Sequence, residues 1–157
     1  EPNYSVFVIG GVIADRTYVR SVMEPRVRVF KREWFGREDI ILHTADIVRG
    51  RNGFERLRAD PAFRRAFLPA LSALMEELDY KVVACAIHKD RYVARYREQA
   101  RDPYEAGLDI VVERFCFEIG DAADGGLIFA EKRRTDLDHR LDHAWEHVRR
   151  QGTYRLN

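Results

Sequence analysis

The sequence predicts an α/β fold, in which strands and helices alternate along a chain of 157 residues. Three short apolar runs have the composition of strands, at residues 6–14, 80–87 and 127–130. Segments with a helical spacing of apolar residues separate these runs. Aspartate–proline pairs and glycines stand where helices are expected to begin and end. This alternation favours a layered α/β domain with a sheet flanked by helices.

The first half of the chain begins as a strand and continues as a helix. The run 6–14 is almost wholly apolar, which is typical of a strand covered on both faces. The spacing of apolar residues then becomes helical, with Pro25 expected to kink the helix and Gly36 to end it. Residues 40–42 are predicted to form a short strand or extended piece, and residues 43–53 a loop with a helical turn.

Helix signals are stronger in the second half. Asp60 and Pro61 supply an N-cap followed by a proline in the first turn, and the apolar stripe after them predicts a helix that Pro69 bends. The continuous apolar run 80–87 predicts a central strand, and a polar helical segment follows it.

Two further helices and a strand complete the predicted order. Residues 102–105 contain the cap, proline and glutamate of a capping box, which predicts the start of a helix. Residues 127–130 follow two glycines and are predicted to form a short strand. Thr135 or Asp136 is expected to cap a last helix that Gly152 ends.

Composition restricts the class of protein. The chain has 27 basic and 26 acidic residues and a formal charge of +1, which argues against a generic polyanion binder. Apolar residues make up 46% of the chain, yet no apolar run approaches the roughly 20 residues of a membrane span. We therefore expect one globular domain over residues 1–157 and no membrane partner. Cys85 and Cys116 are too few for a disulfide framework, so a cytoplasmic setting is expected.

Polar side chains directly follow two of the predicted strands. Lys89 comes after the run 80–87, and Glu131 comes after the run 127–130. In open α/β sheets, ligands bind at the carboxyl ends of strands. Glu131 is therefore a candidate ligand for Mg²⁺, with Asp138 as a second, and Lys89 is a candidate phosphate contact. The alternative for Glu131 is a solvated strand end, and for Lys89 it is the first hydrated residue of a loop. The alternative for Asp138 is an acid that stabilises the dipole of its helix.

Histidines form two candidate groups. His43 and Asp46 are three residues apart, so one helical turn would bring them together as half of a metal site or as an acid/base pair. Local capping of the loop explains them equally well. His139, His143 and His147 have the four-residue spacing of a helical metal site, but they lie opposite the apolar stripe of their helix and are expected to face solvent.

Six segments together resemble one protein family. In chain order they are VFVIGGVIADRTYVR, LHTADIVRGRNGF, YKVVACAIHKDRY, YEAGLDIVVERF, LIFAEKRRTDLDHRL and QGTYR. Their order and spacing resemble the DUF-thirty-eight-hundred family, a bacterial and phage group whose members resemble ribonuclease-H-like nucleases. The resemblance covers nearly all of the chain. It implies a ribonuclease-H-like mixed sheet flanked by helices and a carboxylate site suited to two divalent cations, Mg²⁺ or Mn²⁺.

The resemblance also implies roles for individual residues. The family positions fall, in this sequence, on His43, Asp46, Lys89, Glu131, Arg133 and Asp138. The two acids at 131 and 138 would be catalytic metal ligands, and the two basic residues at 89 and 133 would contact phosphate. His43 or Asp46 would position water or a leaving group. The family's opening Asp-Glu-Ser-Gly strand and closing Ala-Asp-Leu helix have no counterpart, so we expect a chain incomplete at both ends relative to the family.

Two functions follow from these observations. The first is a metal-dependent nuclease that hydrolyses phosphodiesters, with nucleic acid as its partner. The second is a non-catalytic interaction or scaffold domain of the same fold, associated with phage or mobile elements. The near-neutral charge and the missing family acids favour the second.

Overall fold

A computed structural model of the chain describes residues 4–120, 125–131, 142–143, 145–146 and 148–150. It is mixed α/β and mostly helical, which confirms the predicted class. The chain divides into two compact units, one made of Glu1–Ile13 with Lys81–Asn157 and the other of Ala14–Tyr80. We call them the sheet unit and the helical unit. No helix in the described part of the chain is long and apolar enough to cross a bilayer.

The helical unit begins with a helix that changes its winding. Its parts are α1 (Arg16–Tyr18), a π-helical stretch (Val19–Met23) and α2 (Glu24–Phe35). Asp15 caps the start, since its side chain accepts a hydrogen bond of 2.8 Å from the backbone N–H of Tyr18. The wide π-helical winding lies just before Pro25, where the backbone donor is missing. Gly36 ends the helix in a left-handed conformation, as predicted.

Three more helices complete this unit: α3 (Thr44–Arg49), α4 (Glu55–Ala59) and α5 (Pro61–Glu77). The predicted cap of α5 is confirmed, because the Asp60 carboxylate accepts 3.0 Å hydrogen bonds from the N–H groups of Ala62 and Phe63. The unit's core contains Phe54 and Phe67, both 0% exposed. Residues 40–42, which were predicted to form a short strand or an extended piece, do not form a strand. Those residues have no regular secondary structure, and Ile40 is buried in this helical core instead.

The sheet unit contains β1 (Val6–Ile13) and β2 (Lys81–His88), which pair antiparallel from Val6 opposite His88 to Ile13 opposite Lys81. The strands predicted there are confirmed. After β2 follow α6 (Lys89–Tyr96), a 3₁₀ turn (Arg97–Gln99) and α7 (Pro103–Ile119). Residues 142–150 are helical at the positions described, in agreement with the predicted last helix. Its predicted cap at Thr135 or Asp136 lies outside the described residues.

Helix α7 covers one face of the sheet, which we call the inner face. The helix packs on both strands, and Gly107 of α7 lies against Ile9 and Phe7 of β1. A Cβ atom at position 107 would lie 2.7 Å from Ile9 Cγ2, so a larger residue there would displace the Ile9 side chain or the helix. Cys85 and Ile87 of β2 are each 8% exposed on this face. The inner face and α7 therefore form the apolar layer of the sheet unit.

The opposite face, which we call the outer face, is open to solvent. Side chains alternate between the two faces along each strand, and the outer ones belong to Val6, Val8, Gly10, Val12, Val82, Ala84, Ala86 and His88. Val8 and Val12 are each 60% exposed, and Val82 is 69% exposed. The prediction that β1 is covered on both faces is therefore wrong, since α7 lies on the inner face alone.

The predicted strand at 127–130 is also wrong. Residues 125–131 have no regular secondary structure, all of them are exposed, and Phe129 is 89% exposed. A strand forms only by pairing with another strand, and within the described residues the sheet consists of β1 and β2 alone. The apolar composition of this segment was thus a necessary condition for a strand but not a sufficient one.

Candidate functional site

Glu131, the predicted metal ligand, lies at the end of this irregular segment and is exposed to solvent. The strand that was expected to hold its carboxylate at the edge of a sheet does not form. Within the described residues Glu131 makes no ion pair. Its position therefore provides none of the burial or geometric support that metal ligands usually have.

Of the two predicted phosphate contacts and the second predicted metal ligand, the structure describes Lys89 alone. Lys89 is the first residue of α6, directly after β2 as predicted, and its backbone N–H donates a 2.9 Å hydrogen bond to the Ser5 carbonyl. Asp138 and Arg133 lie outside the described residues. Lys89 and Glu131 belong to the sheet unit, whereas His43 and Asp46 belong to the helical unit.

His43 and Asp46 do come together, as their spacing predicts. The imidazole Nδ1 lies 3.3 Å from Asp46 Oδ2, at the start of α3. Asp46 Oδ1 accepts a 2.5 Å hydrogen bond from Nε of Arg51. The Asp46 side chain is 14% exposed and that of His43 is 48% exposed. The His43 side chain makes no capping hydrogen bond, but Asp46 is held by Arg51 and Asn52 of the loop that follows α3, so these contacts also fit the alternative of local loop capping.

The electrostatics of this group fix its protonation. The hydrogen bond from the Arg51 guanidinium, aided by Asn52, lowers the pKa of Asp46 to about 2. An ionised Asp46 can only accept a hydrogen bond, so Nδ1 of His43 is the donor, and in the neutral ring Nε2 is then the free acceptor. A histidine oriented this way can act as a general base or as a metal ligand through Nε2.

Metal ligands do not assemble further in the part of the chain that is described. Among those residues, no three histidine, cysteine, aspartate or glutamate side chains are grouped so that they could hold a metal ion. His43, beside the partly buried Asp46 carboxylate, supplies one potential ligand. Of the two metal ligands that the family resemblance implies, Glu131 belongs to no such group among the described residues, and Asp138 lies outside them.

A buried polar cluster on α7 was missed by sequence reasoning. Asp109 and Glu113 lie one helical turn apart, and each is 6% exposed. Arg101 Nη1 donates a 2.5 Å hydrogen bond to Asp109 Oδ2, and Arg114 lies 3.3 Å from Glu113 Oε1. The sequence contained a signal for this cluster. Asp109 and Glu113 are four residues apart, so they lie on one side of the helix, where they stand among its apolar residues. Each carboxylate has an arginine beside it, so the cluster is balanced in charge and ties α7 to the preceding turn.

The outer face of the sheet was missed as well. Six of its eight residues carry apolar side chains, Gly10 carries none, and the eighth is His88 at one end. None is an acid, a lysine or an arginine. Each strand has eight residues at about 3.4 Å per residue, and the two strands are about 4.8 Å apart. The face therefore has an area of roughly 250 Å² in projection. An apolar run in the sequence predicts burial, and so it gave no indication that one face would be accessible.

No protein-family model matches this chain, and no curated protein or solved structure matches it either. The resemblance to the DUF-thirty-eight-hundred family accordingly stays a prediction, and function has to be argued from the geometry.

Proposed function

We propose that this chain is a non-catalytic interaction module that binds a partner protein through the outer face of the β1–β2 sheet. The observation that carries the proposal is the exposure of Val8, Val12 and Val82 on a face without a charged residue. The largest contiguous apolar patch on the surface of a domain is often functional, whereas apolar residues scattered singly over a surface are ordinary.

The architecture of the sheet supports the same proposal. A two-stranded sheet is marginally stable by itself and needs an apolar layer against it. Here α7 supplies that layer on the inner face, and the outer face has the composition of a second buried layer. A partner with an apolar, uncharged surface would complete the packing without burying an unpaired charge.

Dye binding tests this proposal. We expect 1-anilinonaphthalene-8-sulfonate to fluoresce with the folded chain at micromolar protein, and Val82→Lys to reduce that fluorescence severalfold, because the ammonium group interrupts the apolar face. Val93→Lys is the matched control, since Val93 lies on α6 and is 55% exposed. Equal fluorescence from the two variants would show that the dye binds elsewhere and would remove the outer face from the proposal.

The proposal includes the ribonuclease-H-like fold and a cytoplasmic setting. The antiparallel β1–β2 pair with α7 packed on it supports the ribonuclease-H-like fold, which also requires further strands beside β1 or β2. Cys85 and Cys116 are both free thiols, which supports the cytoplasmic setting.

A metal-dependent nuclease is the second candidate, and one specific observation favours it. Asp46 orients His43 so that Nε2 is free, which is how a general base for the attack of water on a phosphodiester is held. In this candidate, nucleic acid is the substrate, Glu131 and Asp138 bind Mg²⁺ or Mn²⁺, and Lys89 and Arg133 contact phosphate. Because the described residues assemble no three-ligand group, we derive no step through the metal.

Cleavage of labelled DNA and RNA in Mg²⁺ or Mn²⁺ separates the two candidates. The interaction module predicts no cleavage of either substrate with either ion. The nuclease predicts cleavage that falls by about 10²-fold or more in His43→Ala, because a positioned general base contributes that much. Glu131→Gln would lose activity too, whereas His143→Ala, which changes another exposed histidine, would not. Cleavage that survives in His43→Ala would exclude the role given to that residue.

A further inference from the structure

We infer that helix α6 binds single-stranded nucleic acid along a strip formed by Arg91, Tyr92, Arg95 and Tyr96, which we call the basic–aromatic strip. The strip is not part of the outer face, so the inference goes beyond the proposed function. It is carried by the exposure of α6, by the arrangement of the four side chains and by the charge of the segment.

Helix α6 is accessible along its whole length. None of its eight residues is buried. In the strip, Arg91 and Arg95 are exposed, Tyr96 is 45% exposed and Tyr92 is half-buried. A helix that served only to cover a sheet would bury an apolar side, yet Val93 is 55% exposed as well. The long side chains of α6 are therefore available to a partner.

The strip consists of two neighbouring rows. Arg91 and Arg95 are four residues apart, as are Tyr92 and Tyr96, so each row runs along the helix with about 6 Å between its members. At about 100° per residue, the four positions cover about 140° of the helix circumference. The two tyrosine rings have their centroids 4.9 Å apart, and the guanidinium carbon of Arg95 lies 5.7 Å from the ring centroid of Tyr96. Cationic groups and aromatic rings thus lie side by side.

The segment is basic, although the whole chain is almost neutral. Residues 89–97 contain four basic residues and one acid, against 27 basic and 26 acidic residues in the chain. Within the part of the chain that the structure describes, Arg91, Arg95 and Arg97 form no ion pair with a carboxylate. The strip therefore presents guanidinium groups whose charge is not neutralised by a neighbouring acid, which favours an anionic partner.

Single-stranded nucleic acid matches both rows of the strip. Guanidinium groups bind phosphate through two parallel hydrogen bonds, and unpaired bases stack on aromatic rings. An acidic peptide would use the arginines but would leave the tyrosine rings without a matching group. An anionic membrane surface fits less well, because a helix that lies in that interface buries a continuous apolar side, and the only aliphatic residues of α6 are Val93 and Ala94.

Fluorescence anisotropy of a labelled oligothymidylate of about 12 nucleotides tests the inference. The full chain is titrated in EDTA at low salt, so that metal-dependent cleavage cannot contribute. We expect a dissociation constant on the order of 10–100 μM that increases with salt concentration. The double variant Arg91→Gln/Arg95→Gln should weaken binding by about 10-fold or more and reduce its dependence on salt, because two phosphate contacts are lost.

The matched control is Arg64→Gln/Arg65→Gln, which removes the same charge from two exposed positions of α5. It should bind within about twofold of the wild type, because the arginines it removes are not part of the strip.

Variants of Tyr96 separate stacking from charge. Tyr96→Ala should weaken binding by about 5-fold or more, because a base loses its stacking surface. Tyr96→Phe retains the ring and should bind as the wild type does. Both variants leave the charge of the strip unchanged, so a general electrostatic attraction would not distinguish them.

Four results would overturn the inference. The first is a wild-type chain that binds no oligonucleotide up to about 1 mM. The second is equal weakening by the two double variants, which would indicate a general effect of charge. The third is a Tyr96→Ala chain that binds as tightly as the wild type. The fourth is binding to vesicles of phosphatidylcholine and phosphatidylserine in place of the oligonucleotide. None of these results alters the dye experiment on the outer face, so the proposed function is tested separately.

Discussion

Replacing Phe67 with alanine is expected to lower the free energy of unfolding by about 3–5 kcal/mol. Phe67 lies on α5, is 0% exposed, and is at the centre of an aromatic cluster. Its ring centroid lies 5.3–6.4 Å from those of Phe30, Trp34, Phe35, Phe54 and Phe63. Alanine would remove the apolar surface of the ring and leave a cavity that five neighbouring rings, each held in place by others, cannot fill by small shifts.

Equilibrium unfolding in urea measures this loss, with Leu68→Ala as the matched control. Leu68 is the next residue of the same helix and is 38% exposed, so its truncation should cost much less, about 1 kcal/mol or under. A similar loss from both substitutions would contradict the placement of Phe67 at the centre of the core. It would indicate that α5 is turned differently about its axis.

Local signals made the helices predictable. The start of α5 was found because Asp60 and the proline after it act within one turn, where no distant contact is needed. The cap at Asp102 was found for the same reason, and its side chain accepts a 2.8 Å hydrogen bond from the N–H of Tyr104. His43 and Asp46 were paired correctly because a spacing of three residues places both side chains at one helical turn.

Features that depend on distant partners were not predictable. Whether 127–130 forms a strand depends on a free sheet edge elsewhere, which the segment itself does not encode. The bond between Arg101 and Asp109 depends on how α7 begins relative to the turn before it. The apolar run of β1 predicted cover on both faces, and α7 covers the inner one. A partner on the outer face would reconcile this sequence pattern with the exposed valines.

The second large effect is expected in β2, from lysine at Ile87. Ile87 is 8% exposed on the inner face, where Gly107 of α7 approaches the sheet. A lysine there would either bury an unpaired ammonium group or separate the helix from the sheet, at a cost of about 4 kcal/mol or more. Val82 lies on the same strand but on the outer face, where it is 69% exposed. Lysine at this position should change the free energy of unfolding by less than about 0.5 kcal/mol.

The most direct measurement is therefore urea unfolding of Ile87→Lys and Val82→Lys at a few micromolar protein. If the outer face is uncovered, Ile87→Lys should lose its folded state, while Val82→Lys should unfold at the wild-type midpoint. Strong destabilisation by both substitutions would show that the outer face is buried within the chain, which would contradict its use as an interaction surface.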